Sequence, residues 1–174
     1  MALSKDTLGR EIITDAVCGK GRKHCTHSYA IRPANRPTTI GGCWVMNHSC
    51  EGDLDGDAIA VRGRFDANVW YSYDGNSETA VAKDTMSYSE QIPLTDLDPE
   101  CDRADLRVVV KVVQSPTCVD ARIGDEGMEI EVKVQMELAV EVVGKTKLYV
   151  LTVGPSQKKD FDEESSFVEE ESTV

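Results

Sequence analysis

Two long stretches of the chain alternate apolar and polar residues with a period of two. They cover residues 57–73 and residues 128–143. Successive side chains of a β-strand point to opposite faces, so each stretch predicts a strand that is buried on one face. A shift of one residue would turn the whole apolar set outward, which fixes the register. The predicted buried faces are Ile59, Val61, Phe65, Ala67, Val69, Tyr71 and Tyr73, and Met128, Ile130, Val132, Val134, Met136, Leu138, Val140 and Val142.

The remaining pattern also consists mainly of strand and turn signals. Asp74-Gly75-Asn76 is typical of a hairpin turn. A short amphipathic helix is predicted over residues 8–18, where Leu8, Ile12 and Ala16 have helical spacing. Further strands are predicted at residues 40–48, 79–92, 106–113, 119–123 and 147–153, with turns at residues 52–57, at residues 124–127 and at Gly144.

These elements predict an all-β fold, an antiparallel β-sandwich with a short N-terminal helix. The sandwich domain covers residues 1–154, and the irregular residues 93–105 mark a candidate internal boundary. Residues 155–174 form a disordered acidic tail with too little apolar surface to fold. Phe161 and Phe167 interrupt its acidic run. The tail is either merely solvating or a linear motif with these two residues as anchors for a partner.

The charge and the chain ends limit the choice of partners and compartments. The 174 residues carry a formal net charge of −12, which argues against nucleic acid or an anionic membrane as the main partner. No run approaches the roughly 18–20 apolar residues of a membrane span. The N-terminus lacks an apolar signal core, which predicts residence in the cytosol. Residues 20–36 are locally basic, either as a docking face or as a solvated edge strand.

Six cysteines are unusual for a cytosolic chain, because that compartment keeps cysteines as thiols. They are inert, metal-bound or kept for later oxidation, and cross-linking is the favoured use. The cross-link candidates are Cys18, Cys25, Cys43, Cys50, Cys101 and Cys118. Cysteine and histidine gather in the N-terminal third, but no Cys-x-x-Cys occurs, so no metal site and no cofactor is predicted. The acidic residues 53–57 suggest a calcium-binding EF-hand loop, but its sixth position, which needs glycine, is Ala58 and its twelfth, which needs glutamate, is Arg64, so the match fails.

Catalytic motifs are missing from the sequence, and one aromatic residue indicates a contact surface. Neither a nucleophile elbow nor a Gly-rich phosphate loop occurs, so no enzyme is predicted. Trp70 is the one large aromatic on the polar face of its strand. It is therefore the interaction candidate of the folded domain, together with Phe161 and Phe167 of the tail.

Several motifs follow one another in an order typical of a known family. They are Glu11-Ile12-Ile13-Thr14, Gly19-Lys20-Gly21-Arg22-Lys23, Gly41-Gly42-Cys43-Trp44-Val45-Met46-Asn47-His48, Gln114-Ser115-Pro116-Thr117-Cys118, Val140-Glu141-Val142-Val143-Gly144-Lys145-Thr146-Lys147 and, most specific, Asn68-Val69-Trp70-Tyr71-Ser72-Tyr73. With these motifs and its acidic tail, the chain resembles the CotE family of outer spore coat morphogenetic proteins from about residue 10 to the end.

The resemblance implies a non-enzymatic scaffold that surrounds the developing forespore in the mother-cell cytoplasm. Such a scaffold self-associates as a homo-oligomer and recruits outer-coat proteins onto an inner-coat layer, so that it ends in the spore outer coat. The alternative from another class is a monomeric β-sandwich that binds a ligand, either carbohydrate or structural zinc.

Overall fold

A computed structural model describes the backbone of residues 7–153 and the side chains of residues 9–151. Most of this part of the chain is β-strand. The strands are β1 (Thr7–Ile31), β2 (Pro37–Asp55), β3 (Ala58–Tyr73), β4 (Glu78–Pro93), β5 (Arg107–Ile123) and β6 (Ile130–Val153), with one 3₁₀ turn at Arg103–Asp105. The all-β prediction is confirmed. No helix in the described part is long and apolar enough to cross a membrane.

The strands form two three-stranded sheets, in the orders β1-β6-β5 and β2-β3-β4. The two alternating stretches supply the central strands β6 and β3. Their predicted apolar faces are buried in one core cluster with residues of both sheets, an arrangement consistent with the predicted β-sandwich. Two residues depart from the pattern: Tyr73 is half-buried, and Met128 is exposed and precedes β6. A hairpin joins β3 to β4 through Asp74, Gly75 and Asn76, all at positive φ.

The predicted helix over residues 8–18 is wrong, because these residues lie in β1. Leu8, Ile12 and Ala16 are spaced by four, a spacing that fits one face of a helix and also one face of a strand. β1 pairs with the central strand β6. Ile12, Ile13, Thr14 and Val17 are β-branched, which favours the strand.

Two predicted strand breaks are also wrong, because β5 and β6 each run without interruption. Gly144 lies inside β6, where an added Cβ would come within 2.6 Å of Leu106 and 3.0 Å of the Cys18 sulfur. Close packing, rather than a turn, therefore explains why glycine occupies this position. In β5, a register shift between Gln114 and Thr117 spans Pro116, a residue that has no N–H to donate to the ladder.

The chain divides into two compact units, residues 13–147 and the two ends. The described parts of the ends are residues 7–12 and 148–153. In this unit Ile12, Leu148, Tyr149 and Leu151 are exposed apolar side chains. The larger unit holds the whole core cluster and every contact described below.

Residues 94–106 connect β4 of one sheet to β5 of the other. The connection lies against β1. Lys20 and Thr95 form an isolated antiparallel bridge, and the Asp98 N–H donates to the Cys18 carbonyl at 2.7 Å.

Candidate functional site

Cys18 of β1 and Cys101 of the 94–106 connection form a disulfide within the chain. Their Cα atoms are 5.9 Å apart, and 83 positions of sequence separate them. Both residues are buried. The bond therefore ties the connection to an edge strand.

The other four cysteines are free thiols, and they lie in two regions with two thiols in each. Cys43 of β2 and Cys118 of β5 are both half-buried against the core, one from each sheet. A hydrogen bond between these two side chains and the burial of Cys43 raise the pKa of the Cys43 thiol, burial being the larger cause. Cys118 also donates to the Asp120 carbonyl, at 3.4 Å.

Cys25 and Cys50 lie in a polar cluster between β1, β2 and β4. Cys25 and His27 are two residues apart on β1, so their side chains share one face, which is directed at Glu90 of β4. The ligand atoms of the three residues all lie within 4.8 Å of one another. His27 Nε2 is 2.9 Å from Glu90 Oε1, and Lys23 Nζ is 2.6 Å from Glu90 Oε2. Burial, with a smaller contribution from Glu90, raises the pKa of the Cys25 thiol to about 11.

Tyr88 forms the second half of this polar cluster. Its hydroxyl is 2.7 Å from His48 Nε2 and hydrogen-bonds Cys50, and its ring packs against those of His27 and His48. Opposite Tyr88 in the ladder lies Gly63, where a Cβ would collide with the tyrosine ring. Desolvation lowers the pKa of His48 and is the main cause that raises the pKa of Tyr88.

A backbone irregularity in β2 turns His48 and Cys50 toward this cluster. The β2–β3 register shifts between Met46 and Ser49, and Asn47 adopts a φ of 54°. Asparagine tolerates this left-handed conformation better than most residues do. The Asn47 amide donates to Asp66 Oδ2 at 2.8 Å, which fixes the bulge.

Three of the four free thiols, those of Cys25, Cys43 and Cys50, are poor nucleophiles in this arrangement. Burial is the first cause that raises the pKa values of Cys25, Cys43 and Cys50. A thiol reacts as the thiolate, so a raised pKa slows oxidation and nucleophilic attack at neutral pH. The geometry favours a structural or metal-binding use of these groups over covalent catalysis.

The outer face of the β2-β3-β4 sheet carries a separate feature, an apolar surface that we call the Trp face: Trp44, Trp70 and Val81. Trp70 is 47% exposed, as its strand position predicts, and lies opposite Gly42 on β2 and Val81 on β4. Trp44 is opposite Asn68, two residue pairs along the ladder. Asn68 is only 7% exposed, and its Nδ2 has no hydrogen-bond partner among the described residues.

The basic stretch of residues 20–36 is largely paired within the chain. Arg22 binds Glu137, Lys23 binds Glu90, and Arg32 binds Glu129. Because these three cations already form ion pairs within the chain, they are less available to bind an acidic partner at a docking face. The tail anchors Phe161 and Phe167 lie outside the described residues.

Sequence spacing missed one member of the polar cluster, Glu90. It belongs to the inward-facing parity of β4, with Met86, Tyr88 and Ile92. An acidic residue among the alternating positions of a strand that are otherwise apolar can be recognised in the sequence as a buried polar candidate. Which strand faces β4 at that point depends on the tertiary fold, so the partners of Glu90 are not visible in the sequence.

Comparison with known protein families gives one match. The model of the family described as outer spore coat protein E (CotE) matches residues 9–173. A search of curated proteins and a search of solved structures each found no match.

Proposed function

Because the chain belongs to the outer spore coat protein E family, we propose that it is a non-enzymatic scaffold of the outer coat. In this proposal it self-assembles in the mother-cell cytoplasm around the forespore and recruits other coat proteins onto an inner-coat layer. The sandwich domain, residues 1–154, makes the assembly contacts, and the acidic tail, residues 155–174, recruits clients through Phe161 and Phe167.

The observation that carries the self-assembly proposal is the Trp face. Exposed tryptophan side chains are enriched at protein interfaces, where they supply large rigid contact areas. The occupant that we propose is a second copy of this chain, since a coat layer needs repeated contacts between identical subunits. The net charge of −12 makes copies repel one another. Burial of the Trp face supplies an apolar contact that offsets this repulsion.

Strand edges offer a second route to self-assembly, which the same experiment separates from the first. β1, β2, β4 and β5 are the outer strands of their sheets, and edge strands present N–H and C=O groups to another chain. The predicted route through an N-terminal helix is withdrawn, because β1 replaces the helix.

The test is light scattering after size exclusion, with and without reductant, with negative-stain images of each peak. Val81→Glu places a charge in the Trp face, and Val119→Glu is the matched control on the edge strand β5; the two valines are 53% and 47% exposed. We expect large assemblies from wild type in both conditions, and a monomer only from Val81→Glu. Loss of assembly in Val119→Glu alone would point to the strand edge. A monomeric wild type would overturn self-assembly by this chain.

Disulfide locking between subunits is a further part of the scaffold proposal. Cys18 and Cys101 are joined within the chain, and Cys25 is buried. The half-buried Cys43, Cys50 and Cys118 are therefore the thiols nearest to solvent for a later cross-link. Mass spectrometry of peptides from oxidised assemblies would identify intersubunit pairs, and only these three cysteines are expected in them.

Carbohydrate binding by a monomer is the second candidate function, and Asn68 favours it. The buried Asn68 amide has an N–H without a partner among the described residues, and two exposed tryptophan rings lie close to it. This matches the pattern of a stacking platform with a hydrogen-bond donor. Titration with soluble hexose and N-acetylhexosamine oligosaccharides, followed by tryptophan fluorescence, tests this function. Trp70→Ala removes sugar binding without a change of mass if the chain is a lectin, and disperses assemblies if it is a scaffold.

A further inference from the structure

We propose that Cys25, His27 and Glu90 form a binding site for a divalent ion of the zinc class, which joins the two sheets. This site departs from the expectation of no metal drawn from sequence spacing. Two of its ligands come from β1, an outer strand of one sheet, and the third comes from β4, an outer strand of the other. It is independent of the scaffold proposal, because none of the three residues belongs to the Trp face.

The ligand set suits zinc in chemistry and in size. Thiolate, imidazole and carboxylate are the three ligand types that zinc takes in proteins. Zinc bond lengths of about 2.0–2.3 Å place tetrahedral ligand atoms about 3.5 Å apart. The three ligand atoms all lie within 4.8 Å of one another, so movements of about 1 Å close the site around an ion. A water molecule would complete four-coordination.

The contacts of His27 point to a missing ligand. Its Nε2 atom is buried and has no partner with hydrogen-bond geometry among the described residues, although Glu90 Oε1 lies 2.9 Å away. A metal ion bound to both atoms satisfies the ring nitrogen and the carboxylate together. The ring of Tyr88 packs against His27, with centroids 5.7 Å apart, and restricts its rotation.

The surroundings orient the carboxylate for this role. Lys23 holds Glu90 Oε2 at 2.6 Å and leaves Oε1 directed at His27. Metal-ligating carboxylates commonly have such an outer hydrogen bond, which fixes their orientation. On binding, the metal–sulfur bond replaces the Cys25 thiol proton, which passes to solvent, while His27 binds as the neutral imidazole.

The test uses the full chain, freed of metal with a chelator and kept without reductant under nitrogen. Zinc is titrated in competition with a chromophoric chelator, and cobalt(II) is added to a second sample. We expect one ion per chain and a thiolate-to-cobalt charge-transfer band. Cys25→Ser should abolish the band, and His27→Gln or Glu90→Gln should weaken zinc binding by more than the roughly 100-fold that outer-shell changes cause. The matched controls His24→Gln and Cys118→Ser should bind as wild type does.

Two results would overturn the proposal. One is a cobalt band that survives in Cys25→Ser, which would assign the ion to other thiols. The other is wild-type protein that binds no zinc at micromolar concentration, which would leave Cys25, His27 and Glu90 as a polar cluster only. Both results count only for chains whose β-structure has been checked by circular dichroism. If a variant fails to fold, the wild-type cobalt spectrum still decides whether a thiolate is a ligand. A wild-type spectrum without the charge-transfer band would then refute the proposal.

Discussion

Loss of the Cys18–Cys101 disulfide is expected to lower the free energy of unfolding by roughly 4.5 kcal/mol. The bond closes a loop with a sequence separation of 83. The chain-entropy relation gives such a loop an entropy restriction of about 15 cal/mol/K in the unfolded state, which is the quoted free energy at 25 °C. This value covers the constraint on the unfolded chain only.

Two comparisons separate that constraint from the packing of the two sulfur atoms. Reduction of the wild-type disulfide breaks the cross-link and keeps every heavy atom, whereas Cys18→Ala with Cys101→Ala also removes the buried sulfurs. The reduced wild type should therefore lose the entropic term, and the double-alanine variant slightly more.

Urea unfolding, followed by tryptophan fluorescence, measures the effect. With a slope of about 2 kcal/mol/M, the expected loss moves the midpoint by roughly 2 M. The double-alanine variant is its own control for the reductant, since reductant should not move its midpoint. Equal midpoints for oxidised wild type and the double-alanine variant would refute the reasoning, because the unfolded chain would then gain no freedom when the bond is absent.

Three further outcomes are expected, two from single contacts of the folded domain and one from the division of labour between domain and tail. Gly63→Ala should cost about 1–3 kcal/mol in urea unfolding, because its Cβ collides with the Tyr88 ring; Gly42→Ala is the matched control, with no atom within 4 Å of its Cβ, and an equal loss there would contradict this account. The lowered pKa of His48 means that the unfolded state binds the proton more tightly, so stability should fall as the pH drops through about 6.5. Midpoints measured between about pH 5 and 8 should show a smaller fall in His48→Gln, and an unchanged profile would exclude His48 as the source. Deletion of residues 155–174 should spare self-assembly and weaken client pull-down, whereas a truncated chain that no longer oligomerises would refute the division of labour.

The central strands could be predicted from sequence because alternation and burial agree along their whole length. In β3 the apolar positions from Ile59 to Tyr71 are buried as expected. In β6 the same holds from Ile130 to Val142. A strand covered by neighbours on both edges and by a second sheet on one face has little freedom to choose another register. The alternation of apolar and polar residues in such a strand therefore matches the alternation of buried and exposed positions.

The outer strands were harder to predict, because their environment comes from distant parts of the chain. A spacing of four from Leu8 to Ile12 does not distinguish helix from strand, and pairing with β6 decides between them. Gly144 looks like a turn residue until Leu106 and Cys18 are placed against it. The polar cluster likewise needs β4 of one sheet to face β1 of the other, a contact that local periodicity does not encode.

The cross-sheet contacts of β1 suggest how this fold separates stability from assembly. Near residue 20, the backbone of β1 contacts the 94–106 connection through the bridge between Lys20 and Thr95 and through the hydrogen bond from Asp98 to Cys18. The Cys18–Cys101 disulfide supplies a covalent tie there, and the proposed metal site supplies a coordinate tie through Glu90. Both ties lie away from the exposed outer face that carries Trp70. A change in either tie should therefore alter the urea midpoint and leave the assembly size unchanged, whereas Val81→Glu should do the reverse.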